Sequence, residues 1–65
     1  MVKVCLGMNE KVLDVELNQA TLKWCVFKWL DTNYPGCWRM WLSIDGYWIN
    51  LPSQDSATEF SLTWL

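Results

Sequence analysis

Histidine is absent from these 65 residues, and five basic side chains stand against seven acidic ones. Without His, the chain lacks the commonest general base and the commonest metal ligand. A net charge of −2 is the wrong sign for a protein that lives on phosphate backbones. Long apolar runs are missing too: nothing approaches the roughly eighteen consecutive residues that a membrane span needs. The opening Met1-Val2-Lys3-Val4-Cys5-Leu6-Gly7 has no charged head, extended apolar stretch and small-residue cleavage site, so it does not read as a signal peptide. No membrane partner is expected. Cysteine is scarce and odd in number, at positions 5, 25 and 37, with no CxxC. That usage opposes both a disulfide framework and a zinc site, and favours free thiols in a reducing cytoplasm.

What is present is apolar. Hydrophobic residues make up 52% of the chain and net charge is low, which excludes a disordered tail. The length suits one domain, residues 1–65, with no internal repeat or low-complexity tract. A domain this small buries only about 60% of its extended surface. Yet it carries six Trp, each with roughly 150–250 Å² to bury. Six such rings exceed what one small core hides, so some aromatic surface is expected to be left for a partner.

Alternation organises the first part of the chain. Val2, Val4, Leu6 and Met8 alternate with Lys3, Cys5, Gly7 and Asn9, and Leu13, Val15 and Leu17 alternate with Val12, Asp14 and Glu16. Asn9-Glu10 between them reads as the turn of a hairpin. Asn18 then suits a helix N-cap, and helical spacing runs from Gln19 to about Thr32. A competing reading carries the helix back to Glu10, because Leu13, Leu17, Ala20 and Trp24 also share a helical face. Tyr34-Pro35-Gly36-Cys37 suits a type II turn after the helix.

The second part alternates again. Trp38, Met40, Leu42 and Ile44 oppose Cys37, Arg39, Trp41 and Ser43. Asp45-Gly46 then signals a hairpin into Tyr47–Leu51. Pro52 ends that strand, Ser53-Gln54-Asp55-Ser56 reads as a polar loop, and Glu59–Leu65 reads as a last strand. The sum is an α+β fold in β-β-α-β-β-β order, a small antiparallel sheet with one helix packed on one face.

Reactive chemistry is thin. A Cys nucleophile has no His to activate it, and Cys25 falls on the core side of the expected helix, where an inert buried thiol is the natural reading. Asp45 before Gly is a turn residue, and Asp31 and Asp55 have no second carboxylate at useful spacing. There is no P-loop, GxGxxG or GxSxG. Neither an enzyme nor a cofactor is expected.

Aromatic surface is the remaining signal. On a helical wheel Leu22, Cys25, Val26, Trp29 and Leu30 share one arc of roughly 140°. Ala20, Trp24 and Phe27 occupy the opposite side, flanked by Lys23 and Lys28. In the Asp45-Gly46 hairpin Leu42, Ile44, Tyr47 and Ile49 are expected to point toward the helix. Trp41 and Trp48 then emerge on the other face as diagonal neighbours, with Arg39 beside them. Trp and Arg are the residue types that dominate binding hot spots.

Trp41, Trp48 and Arg39, with Trp24 and Phe27 as a second patch, therefore point to a non-catalytic module that binds a larger protein. No motif carries a family resemblance. In kind the chain looks like the compact single-domain proteins that phages make to inhibit host enzymes or defence systems. A single-stranded nucleic-acid platform on Trp41, Trp48 and Arg39 is an alternative that the net charge opposes. A homodimer that consumes the same aromatic face is another.

Overall fold

The computed structural model describes residues 1–17 and 19–65. Strand β1 (Val2–Gly7) puts Val2, Val4 and Leu6 inward and leaves Lys3 and Cys5 exposed, as its alternation requires. Asn9 then folds the connection back on itself. Its Oδ1 accepts from the Lys11 amide at 2.9 Å, and its carbonyl accepts from the amides of Val12 and Leu13. This is the local trick by which Asn makes turns without glycine.

β2 (Leu13–Glu16) pairs antiparallel with β3 (Gln19–Leu22), matching Leu13 with Leu22 and Val15 with Ala20. Leu17 carries φ +45 in the connection. The N-cap expected at Asn18 lies outside the described residues. α1 (Trp24–Asn33) starts five residues later than its spacing suggested, after Lys23, which gives no side-chain cap. Gln19–Leu22 satisfies strand and helix periodicity alike. The β2 backbone decides, and the Lys23 amide extends the pairing by donating to the Val12 carbonyl at 2.9 Å. Residues 13–16 are strand, so the reading that carried the helix back to Glu10 is excluded.

The helix ends where the sequence ends it. Asn33 Nδ2 donates to the Trp29 carbonyl, Tyr34 N to the Leu30 carbonyl, and Cys37 N closes the Pro35-Gly36 turn onto the Tyr34 carbonyl. Gly36 has φ +71, the value a type II turn demands at that position.

β4 (Arg39–Ser43) and β5 (Gly46–Leu51) form the expected hairpin, and β1 joins the far side of β5 to give the antiparallel order β1-β5-β4. β1 therefore pairs with β5 and not with β2, which corrects the hairpin expected across Asn9-Glu10. The β4–β5 loop is Ile44-Asp45 and not Asp45-Gly46, because Ser43 pairs with Gly46. Gly46 has φ +112, and a Cβ there would lie 2.6 Å from the Gly7 Cα. A glycine fixed by close backbone approach belongs at the strand's start and cannot supply the turn.

The last element also corrects the sequence reading. Residues expected as loop and strand form α2 (Gln54–Trp64). Ser53 caps it: its Oγ accepts from the Ser56 amide at 3.2 Å, while Ser56 Oγ accepts from the Ser53 amide at 2.9 Å. Phe60 and Trp64 satisfy period two and the i, i+4 spacing of a helix at once. The cap and the inward stripe Ser56, Ala57, Phe60 choose the helix, leaving Leu62 outside at 84% exposure.

The molecule is thus the α+β fold with a small antiparallel sheet that the sequence implied, with a second two-stranded sheet and a second helix. α2 packs across β1 and β5. Between the layers lie Leu13, Leu30, Ile49, Leu51 and Phe60, all essentially inaccessible, with Leu6, Val12, Val26 and Ala57 completing the core. Truncating a ring such as Phe60 to Ala in a core of this kind costs roughly 3–5 kcal/mol. Tyr47 Oη donates to the Ala20 carbonyl at 3.2 Å and ties the larger sheet to the small hairpin. No helix among the described residues is long and apolar enough to cross a membrane.

Candidate binding surface

None of the six Trp is fully buried: Trp24 is exposed and the other five are half-buried. They divide into three settings. Trp29 meets Tyr34, Phe60 and Trp64 at centroid distances of 5.7, 6.1 and 6.1 Å. That group seals the end of the core between α1 and α2 and reads as structural.

The second setting is the face of the larger sheet turned away from the core. Ile49, Val4 and Leu51 point inward, so their neighbours Trp48, Lys3 and Asn50 point outward, joined from β4 by Arg39 and Trp41. Trp41 stands directly opposite Trp48. The diagonal arrangement expected from the sequence is corrected by the loop shift, which moves the register but not the faces. Trp48 Nε1 donates to Asp45 Oδ1 at 2.9 Å, and this bond, helped by the residue's own backbone and by Ser43, holds the Asp45 carboxyl below the usual carboxylate range. Asp45 thus fixes the Trp48 ring from the turn. Lys3, Trp41, Ser43, Ile44, Asp45 and Trp48 line a shallow depression of about 300 Å³ on this face. The surface combines two large rings, two cations and one anchored carboxylate.

The third setting is the outer side of α1. Trp24, 70% exposed, stacks on Phe27 at 5.8 Å with the planes 13° apart, and Phe27 meets the edge of Trp38 at 5.5 Å. The sequence marked Trp24 and Phe27 as a second patch and placed Trp38 only in the alternation with Met40, Leu42 and Ile44. Trp38 does both jobs, touching the core with one part of its ring and Phe27 with another.

Two side chains expected under the helix are uncovered. Leu42 is 64% exposed and Ile44 fully so, whereas Ile49 is buried and Tyr47 half-buried. The reasons are local: α2 makes its main sheet contacts with β1 and β5, and Ile44 lies in the β4–β5 turn beyond the end of the strand. Alternation assigned both to the inner face, but the register shift moves Ile44 out of the strand into the turn. Cys25 is likewise exposed, not core-facing, and all three cysteines are free and accessible. Cys5 pairs with Trp48 across β1 and β5 and so lies beside the aromatic face.

Among the described residues no group of three or more His, Cys, Asp or Glu is arranged to hold a metal ion. Compared with known protein families, with curated proteins and with solved structures, the chain matches none.

Proposed function

We propose that this chain is a protein-binding module that grips a larger partner through the outer face of its three-stranded sheet. The supporting observation is the Trp41–Trp48 register pair, its Trp48 ring held by the bond to Asp45, with Arg39 and Lys3 on the same outward face of the sheet. Large rings already held in one orientation lose little freedom on binding, which is why Trp and Arg dominate hot spots. The stacked Trp24–Phe27 pair offers a second contact on the same small body. In this reading the module works by occlusion, filling space on a larger enzyme or defence protein, as an inhibitor of the compact phage kind does.

Affinity capture from the source cell's lysate with wild-type chain and with Trp48→Ala tests it. A partner held by the first and lost by the second supports the reading; a partner held equally by both contradicts it. One observation favours a second reading: Lys3 and Arg39 share the face with the two rings, as a single-stranded nucleic-acid platform needs. Tight binding of a fluorescent oligonucleotide that weakens steeply as salt rises would select that platform instead.

A further inference from the structure

The outer face of the larger sheet gathers cations on a chain whose net charge is −2. Lys3 of β1 and Arg39 of β4 both stand opposite Asn50 of β5, so one row across the three strands reads cation, amide, cation. Two residues along, the next outward row reads Cys5, Trp48, Trp41. Lys3 and Arg39 are exposed, with Asn50 half-buried between them. Neighbouring strands lie about 4.8 Å apart, which sets the two cationic residues roughly 10 Å apart at the backbone. Side chains as long as lysine and arginine can close that gap and meet above the Asn50 amide. Lys3 also lines the depression that Trp41 and Trp48 wall, so cation and rings belong to one site. Of the seven Asp and Glu, Asp45 is the one that lines it. Its carboxylate accepts from the Trp48 indole at the turn end, away from the row of Lys3 and Arg39.

We propose that the partner segment received by this face is acidic: an extended stretch of protein that sets a carboxylate between Lys3 and Arg39 and a large apolar side chain on Trp41 and Trp48. This inference deepens the proposed function and rests on it. Charge complementarity selects the occupant. An ammonium and a guanidinium on either side of an amide offer one carboxylate charge-assisted bonds from both flanks. Spacing selects the order. The cationic and aromatic rows are two residues apart, about 7 Å, which is also the advance of two residues in an extended chain. Carboxylate and apolar side chain therefore come from residues i and i+2 of the partner. Asp45, at the aromatic end, repels the reversed placement, because like charges brought together at an interface are costly. A nucleic-acid strand fits less well. It brings a phosphate with every nucleotide, whereas this face holds two of the chain's five basic residues, both in a single row, with a carboxylate beyond the rings.

Nuclear magnetic resonance titration of the isotope-labelled full chain with short capped peptides tests it, up to about 5 mM, where weak contacts saturate. One peptide carries Glu-Ser-Phe at its centre, a second Gln-Ser-Phe and a third Lys-Ser-Phe, each flanked by Gly and Ser. The Glu peptide should saturably shift the Trp41 and Trp48 indole signals and the Asn50 side-chain amide. The Gln peptide should bind roughly tenfold more weakly, and the Lys peptide more weakly still. Lys3→Gln with Arg39→Gln, at exposed positions and with the fold checked by circular dichroism, should erase the preference for Glu over Gln. Lys3→Glu with Arg39→Glu should turn the preference toward the Lys peptide. Equal affinity for the Glu and Gln peptides at these signals overturns the acidic occupant and leaves the protein-binding face standing. A preference that survives the double Gln variant overturns it as well. No shift with any peptide also overturns this inference, while lysate capture with Trp48→Ala judges the face itself independently. Shifts caused by oligothymidine at far lower concentration than by the Glu peptide assign the face to nucleic acid. Shifts on concentrating the chain alone assign it to a second copy, and either result overturns the proposal.

Discussion

Leu17 sits in the left-handed region at φ +45 and is 96% exposed. A β-carbon in that region crowds the following carbonyl at a cost of roughly 1–2 kcal/mol, and the exposed side chain recovers little of it by packing. Asn tolerates the conformation, because its short polar side chain bonds locally. Leu17→Asn should therefore raise stability by about 0.5–1 kcal/mol, read as a higher urea midpoint at unchanged slope. A lower midpoint would show that Leu17 makes a contact that outweighs the strain. Gly46 is the opposite case. Its positive φ and its approach to Gly7 leave no room for a side chain, so the residue that looked like turn chemistry in the sequence is a packing requirement between β5 and β1.

At the scale of the element, α2 rests on its first turn. Ser56 is buried and bonds Ser53 from both sides, donating to the Ser53 carbonyl at 2.8 Å as well as accepting its amide. Ser53→Ala removes the acceptor of the Ser56 amide and should destabilise the chain by about 1 kcal/mol, measured by thermal melting. An unchanged melting temperature would mean that packing of Ala57 and Phe60 alone sets the helix. This helix was poorly legible beforehand for a definite reason: Phe60, Leu62 and Trp64 alternate as a strand does, while the decisive signal was the serine pair at its start. β3 was hidden in the same way, since Ala20 and Leu22 serve either period and only the β2 partner resolves them. The Pro35-Gly36 turn was legible because proline fixes φ and glycine freely takes the positive φ the turn needs, and the β4–β5 hairpin because alternation on both sides of a short break marks its two strands. The faces of Trp41 and Trp48 followed from the hairpin, because a shift of two residues in pairing leaves every side chain on its own side.

The two helices are tied together by Tyr34, just after α1, whose hydroxyl donates to Glu59 of α2 at 2.5 Å. Burial and the Glu59 carboxylate push the phenol up to about 12 from an ordinary value of 10.0. Unfolded chains begin to lose this proton near pH 10, while the folded chain holds it to about 12. Stability from this bond is thus fully present below pH 10 and declines between pH 10 and 12. Tyr34→Phe should flatten that decline relative to wild type in alkaline melts, and an equally steep loss in both proteins would contradict the assignment.

At the scale of the whole molecule, the aromatic rings are spread over three places because a core of nine buried hydrophobic side chains among the described residues has no room for six indoles. One group seals the core, one lies on α1, and one stands half-buried on the sheet face turned away from the core. The central claim is that the last of these binds a partner. The most direct test is to measure melting and partner affinity together for Trp41→Ala. Half-buried in a cross-strand pair, Trp41 should cost about 1 kcal/mol of folding stability when truncated. Its loss should remove roughly 2 kcal/mol or more of binding, about a thirtyfold change in Kd. Affinity within twofold of wild type, in a variant that remains folded, would contradict the claim and move the site to Trp24 and Phe27.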